Sequence, residues 1–292
     1  MAADLPDARC ARIAGALDEP MAGTAPSTRR WLCLERPQSW PRDINQDEDP
    51  AVRALLARAA AAGFRPLLIR STDPARARRP PRVFLADTAP GRAIVTMLMV
   101  EREQWVDLPL PAPDDPLPGE PVTGPLLLVC THGQRDLCCG TDGGALVDAL
   151  SGPGVFACSH LGGHRFAPTA LLLPTGYLYG RLEPSSATAL LASAAAQEIA
   201  TDGCRGRCTW SPEGQVAELA VRAATGLSSP DDLFVLDDNG DTVHLGTASG
   251  ERWAVALEHV DIEATRPASC GARPTVVMPL RAASVRALRP SR

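Results

Sequence analysis

The sequence contains no lysine: all 29 basic residues are arginine. That absence excludes a Walker-type phosphate lysine and any imine chemistry on a lysine amine, and it fits a GC-rich genome. Aromatic residues are scarce at 4%, so Ala, Leu and Val must carry the packing, which the 45% hydrophobic content allows. No apolar run approaches bilayer length; stretches such as Ala93–Val100 are far too short. The opening, Met1 to Pro20, is acidic and lacks the apolar centre of a secretory signal, so a cytoplasmic protein without a membrane partner is expected. A net charge of −5 argues against a general nucleic-acid binder. Nine cysteines in a reducing compartment read as thiols or metal ligands, not as a disulfide framework.

A proline-rich segment, Leu108–Pro125, breaks helix and sheet alike and reads as a linker. It separates an N-terminal α/β unit without metal ligands (1–118) from a second unit (119–200). A C-terminal α+β unit of unassigned role (201–292) follows. Strands are predicted at Trp31–Glu35, Arg65–Arg70, Val83–Ala86, Ala93–Glu101, Leu126–Val129, Val155–Cys158, Thr169–Leu173 and Tyr177–Arg181. Helices are predicted at Ala51–Ala62, Gly144–Leu150, Ser185–Ile199 and Pro212–Ala224. The first two units share an order of strand, helix, strand and two further strands, which suggests a duplication whose first copy has Arg- and Pro-rich Asp73–Arg82 where the second has its His loop. Asn239-Gly240 between apolar runs predicts a hairpin; the surrounding acidic residues have the wrong spacing for a calcium loop.

Histidine is also scarce, with five residues, yet His132, His160 and His164 lie, together with Cys130, Cys138, Cys139 and Cys158, within a stretch of 35 residues. Such clustering predicts metal binding. Cys130-Thr-His-Gly-Gln-Arg-Asp-Leu-Cys-Cys139 follows a strand and opens a helix, whose N-terminus favours thiolate charge. Its wide cysteine spacing suits an object larger than one zinc ion. In Ser159-His-Leu-Gly-Gly-His164 the residue after the first His is Leu161 rather than the Glu of a zinc hydrolase. The Gly162-Gly163 pair predicts a loop that approaches a cofactor with its backbone. Adjacent Cys138 and Cys139 side chains point apart, so one of them is expected to bind. Cys158 and His132 read as core and supporting residues, His244 and His259 as structural. Arg135 or Arg165 could steady a reduced site or dock a partner; the alternative for Arg135 is a loop salt bridge with Asp136. Cys204, Cys208 and Cys270 form only a weak further candidate set.

The segment from Leu126 to Glu183 resembles the sucrase/ferredoxin-like family, a branch of the thioredoxin-like [2Fe-2S] ferredoxins. The resemblance is carried by Cys130-Thr-His-Gly-Gln-Arg-Asp, Cys139, His160-Leu-Gly-Gly-His-Arg-Phe-Ala-Pro-Thr and Leu172-Leu-Pro-Thr-Gly-Tyr-Leu-Tyr-Gly-Arg-Leu182. Weaker echoes lie in Trp31–Pro37 and Arg205–Gln215. It implies an α/β fold: a thioredoxin-like ferredoxin domain, preceded by a degenerate thioredoxin-like unit and followed by a small α+β unit. It also implies a [2Fe-2S] cluster with Cys130 and Cys139 on one iron and His160 and His164 on the other, and it favours Cys139 over Cys138. Two neutral imidazoles in place of thiolates raise the potential towards the Rieske range, roughly −150 to +300 mV against about −400 mV for plant-type ferredoxins, and couple electron to proton transfer. No carboxylate pair suggests glycoside hydrolysis. The expected function is one-electron transfer with a redox partner protein, a reductase or an acceptor, in place of stand-alone catalysis. A zinc-stabilised binding module and a redox sensor use the same four ligands.

Overall fold

A computed structural model describes residues 9–289 except 74, 77, 78 and 151. The first eight residues of the acidic opening, and three of the Asp73–Arg82 stretch, lie outside the described residues. The chain runs through α1 (Cys10–Ala16), β1 (Arg30–Glu35), α2 (Pro50–Ala61), β2 (Arg65–Ser71), β3 (Arg82–Asp87), β4 (Ile94–Met99) and β5 (Glu120–Pro121). It continues through β6 (Leu126–Cys130), α3 (Gly144–Ala149), β7 (Val155–Cys158), β8 (Ala170–Leu173), β9 (Tyr177–Tyr179), α4 (Pro184–Ala195) and β10 (Cys204–Arg207). These ten strands form one sheet in the order β10-β9-β8-β6-β7-β2-β1-β3-β4-β5. The fold is mixed α/β.

Local chemistry explains the elements. The side chain of Asp49 accepts the Ala51 N–H and Pro50 occupies the first turn, so α2 starts there. β1 and β6 are buried along their whole length, as expected of central strands covered on both faces. Alternation sorts their side chains. Trp31, Cys33, Leu128 and Cys130 join one core, together with Phe84 and Phe156. Leu32 and Leu34 face α2 and Trp105, while Leu127 and Val129 face α3 and α4. The sheet curls so far that Thr88, just after β3, meets Thr209, just after β10, at 2.9 Å between hydroxyls.

The strand pattern repeats. β1 pairs parallel with β2 and antiparallel with β3, which pairs with β4; β6 does the same with β7, β8 and β9. The repeats join through antiparallel β2 and β7, where Ile69 lies opposite Cys158. Ile69 is also the partner of Glu35 in the first repeat, as Cys158 is the partner of Cys130 in the second. A local two-fold therefore passes between Ile69 and Cys158 and superposes Glu35 on Cys130.

The proline-rich segment is less detached than a linker. β5 lies along β4, and the Thr96 hydroxyl donates to the Pro118 carbonyl. Beyond β10, α5 (Pro212–Thr225) packs on an antiparallel sheet of β11 (Phe234–Asp238), β12 (Thr242–Gly246), β13 (Arg252–His259) and a later strand. β14 (Thr265–Pro267) and β15 (Pro274–Val276) form a separate hairpin, and β16 (Leu280–Leu288) completes the sheet. The Asn239-Gly240 turn joins β11 to β12, with Gly240 at φ +89°. Buried Glu218 and Arg222 on α5 bond to each other and to the Tyr177 hydroxyl of β9, tying this part to the large sheet. Among the described residues no helix is long and apolar enough to cross a membrane.

Candidate metal centre

Cys130 ends β6 and points into the curled face of the sheet, fully buried. The chain then loops away and returns at Cys139, which begins a wide π-type turn (Cys139–Gly143) leading into α3. That return requires glycine: a Cβ at Gly143 would lie 2.0 Å from the Cys130 carbonyl oxygen. His160 follows β7, the strand beside β6, so neighbouring strands deliver both parts of the site to the same sheet end. Donor atoms of Cys130, Cys139 and His160 all lie within 4.8 Å of one another. His164 lies outside that tight group but stacks on His160, with ring centroids 5.0 Å apart at 28°. This Cys/His group can hold a metal.

Two features favour a ligand here. The Nδ1 atoms of His160 and His164 are buried and make no hydrogen bond; a buried polar atom left so is costly unless something binds it. The Cys130 thiol is also held well below the usual thiol range. Contact with the Cys139 thiol is the leading cause, opposed by burial and reinforced by His160 and the N–H groups of His132 and Leu161. Cys139 moves up, chiefly because its thiol hydrogen-bonds to Cys130. Burial lowers His164, leaving it neutral and able to ligate.

The supporting residues differ in part from expectation. Gly163, at φ +72°, makes room for Arg205, whose Nη2 would lie 2.2 Å from a Cβ there. Gly163 therefore accommodates a guanidinium. Buried Arg205 donates to the Gly162 carbonyl at 3.0 Å and to Thr24. Burial, then Arg165, bring it down to about 9 against the pull of Cys130 and Cys139, so it remains a cation at neutral pH. Arg205 lies beyond the sharp motifs, and its arginine identity alone gave no signal. His132 is structural: its Nε2 lies 2.9 Å from the Pro41 carbonyl and its ring meets Trp40 edge-on. Cys158 is core, its thiol raised mainly by burial. His244 lies 3.7 Å from Asp237, and His259 Nδ1 lies 3.3 Å from the Met278 carbonyl.

Two candidate interactions differ from expectation, and one weak candidate set does not form. Arg135 and Asp136 form no salt bridge; Asp136 instead accepts the N–H groups of Cys138 and Cys270, each at 2.9 Å. Arg165 is engaged, at 2.8 Å from buried Glu19, which also takes both arms of Arg266. Cys204 and Cys208 sit in separate cores, whereas Cys270 meets Cys10 and Cys138.

The model of the sucrase/ferredoxin-like family matches residues 21–206, more than half of the sequence and all four candidate ligands. The chain belongs to the sucrase/ferredoxin-like family. Within the curated proteins it is similar to Altered inheritance of mitochondria protein 32 of Eremothecium gossypii, 41% identical over 73 residues, or 23% of this chain and 21% of that protein. The match spans about a fifth of this relative's length. No solved structure matches the chain. Family membership and the Cys/His geometry together point to a metal-binding or redox role.

Proposed function

We propose that the chain binds a [2Fe-2S] cluster through Cys130, Cys139, His160 and His164 and carries single electrons between partner proteins. The observation that carries this reading is the pair of buried, unbonded imidazole nitrogens beside two buried thiols. A single zinc ion would be served by the tight group of Cys130, Cys139 and His160, with no need for His164. A two-iron group is wide enough to reach the outlying His164 as well. The repeated strand order supports reading 119–200 as a thioredoxin-like ferredoxin unit, 1–118 as its degenerate counterpart and 201–292 as a separate α+β unit. A cytoplasmic setting fits thiols that stay reduced.

Such a cluster supplies one-electron chemistry when bound. The chain's own residues set its terms. Cys130 and Cys139 hold the buried end, with the His132 and Leu161 N–H groups directed at the Cys130 sulfur. His160 and His164 are only half-buried, so their outer edges can exchange protons with water. Arg205 places a buried positive charge beside the thiolates, which favours the more negative, reduced state. Protein purified without air should contain iron, absorb visible light and give an electron paramagnetic resonance signal on reduction. Colourless protein with stoichiometric zinc at these residues would overturn the reading. The redox partner is a reductase or electron acceptor. A partner whose binding changes with cluster state would make the protein a sensor.

A further inference from the structure

Beyond the Cys/His centre lies a second group of metal-binding side chains. Cys10 on α1, Cys138 in the first ligand loop and Cys270 in the turn of the β14–β15 hairpin converge. Their sulfurs form a nearly equilateral triangle, 3.6 Å from Cys10 to Cys138, 3.4 Å from Cys138 to Cys270 and 3.6 Å from Cys270 to Cys10. Asp136 completes the group, with Oδ1 3.8 Å from the Cys10 sulfur and 3.6 Å from that of Cys270. Cys10 and Cys138 are fully buried, Asp136 is 4% exposed and Cys270 is partly buried.

We infer that Cys10, Cys138, Cys270 and the Asp136 carboxylate form a structural zinc site, separate from the Cys130–His164 centre. The geometry fits zinc. Zinc–sulfur bonds of about 2.3 Å in a tetrahedron separate sulfurs by about 3.8 Å, so the triangle need open by only a few tenths of an ångström. An ion seated on the triangle as it stands would lie about 1 Å above the sulfur plane, leaving its fourth position open to an oxygen. Charge supports the same assignment. Asp136 has no ion-pair partner among the described residues, although buried carboxylates are normally paired or metal-bound. Its carboxylate accepts the backbone N–H groups of Cys138 and Cys270 as well as the Cys10 and Cys270 thiols, so it orients the thiols. Zinc binding would release the three thiol protons to solvent and leave three thiolates on the ion.

The site would staple three segments that are distant in sequence, with separations of 128, 132 and 260 residues between the cysteines. It would also fix the peptide next to Cys139 without using any ligand of the iron site. Glu19 makes a parallel clasp, joining the N-terminal segment to Arg165 beside His164 and to Arg266 on β14.

Elemental analysis of the full chain purified without air tests the proposal. About one zinc per chain is expected in the unaltered protein and in Cys130→Ser, with loss of zinc in Cys10→Ser and Cys270→Ser while iron stays unchanged. If these variants fail to fold, adding cobalt(II) alone to zinc-stripped unaltered protein and to Cys130→Ser should give thiolate-to-cobalt charge-transfer absorption in both. Zinc below about a tenth per chain together with no cobalt absorption would overturn the site. So would a disulfide between any two of the three cysteines, found by alkylation and mass spectrometry of the unreduced protein. Because Cys130→Ser removes only the first centre, failure of the iron reading and failure of the zinc site give different results.

Discussion

The two repeats of the large sheet place different chemistry at the same spot. By strand register Glu35 stands where Cys130 stands, and each is followed by a residue whose N–H bonds to the carbonyl of the neighbouring strand, Arg36 to Ile69 and Thr131 to Cys158. In the first repeat the space is closed by an ion cluster. Glu35 takes Arg76 at 2.7 Å and Arg82 at 2.8 Å; burial would raise its carboxyl, but the two arginines bring it below the usual range. In the second repeat the corresponding group is the Cys130 thiol, held below its usual range by Cys139 and His160, with the Arg205 guanidinium as the nearby cation. The lesson is that one framework accepts a buried anion at this strand end in either of two ways. It can be paired with guanidinium groups from the next loop, or sit in a Cys/His group that can hold a metal.

Perturbing the two repeats in parallel would test that contrast. The largest effect is expected in the second repeat: Cys130→Ser or Cys139→Ser should abolish bound iron and visible absorption, measured by iron analysis and spectroscopy. Equal iron in these variants would break the comparison. In the first repeat, Glu35→Gln should leave iron content unchanged but destabilise the fold by about 3 kcal/mol, because two partly buried guanidinium groups lose their buried counter-charge; denaturant melts measure this. His160→Cys or His164→Cys should retain the cluster and lower its potential towards the plant-type value, as redox titration would show, while the potential of the unaltered protein should vary with pH. Acid should produce a smaller, graded effect through Glu19. Burial would raise this carboxyl, but Arg266 and Arg165 hold it low. Its contribution is therefore complete above the unfolded carboxylate pKa, about 4.3, and is lost as pH falls from there through the folded value. Glu19→Gln should flatten the decline of melting temperature with acid.

Much of this architecture was legible in the residues. Trp31–Glu35, Leu126–Val129 and Val155–Cys158 are strands because short apolar runs bounded by loop residues have few alternatives, and α2 was legible in the Ala- and Leu-rich run Ala51–Ala62. The candidate Cys/His cluster was visible because its members lie close in sequence and histidine is otherwise rare; the family resemblance singled out Cys130, Cys139, His160 and His164 within it. The zinc candidate was invisible for the opposite reason: no local spacing connects Cys10, Cys138 and Cys270. Asp136 next to Arg135 suggested an ion pair, but backbone N–H groups from two directions claimed its carboxylate. Arg205 gave no sign of its place among so many arginines.

The sequence by itself determined the elements and the ligand types, since helix caps, strand alternation and donor chemistry act within a few residues. Tertiary structure decided which distant side chains share a space: the curl of the sheet, the equivalence of Glu35 with Cys130, the seat of Arg205 under Gly163 and the meeting of three remote thiols. Those outcomes depend on closing long loops and burying surfaces together, so no local pattern encodes them.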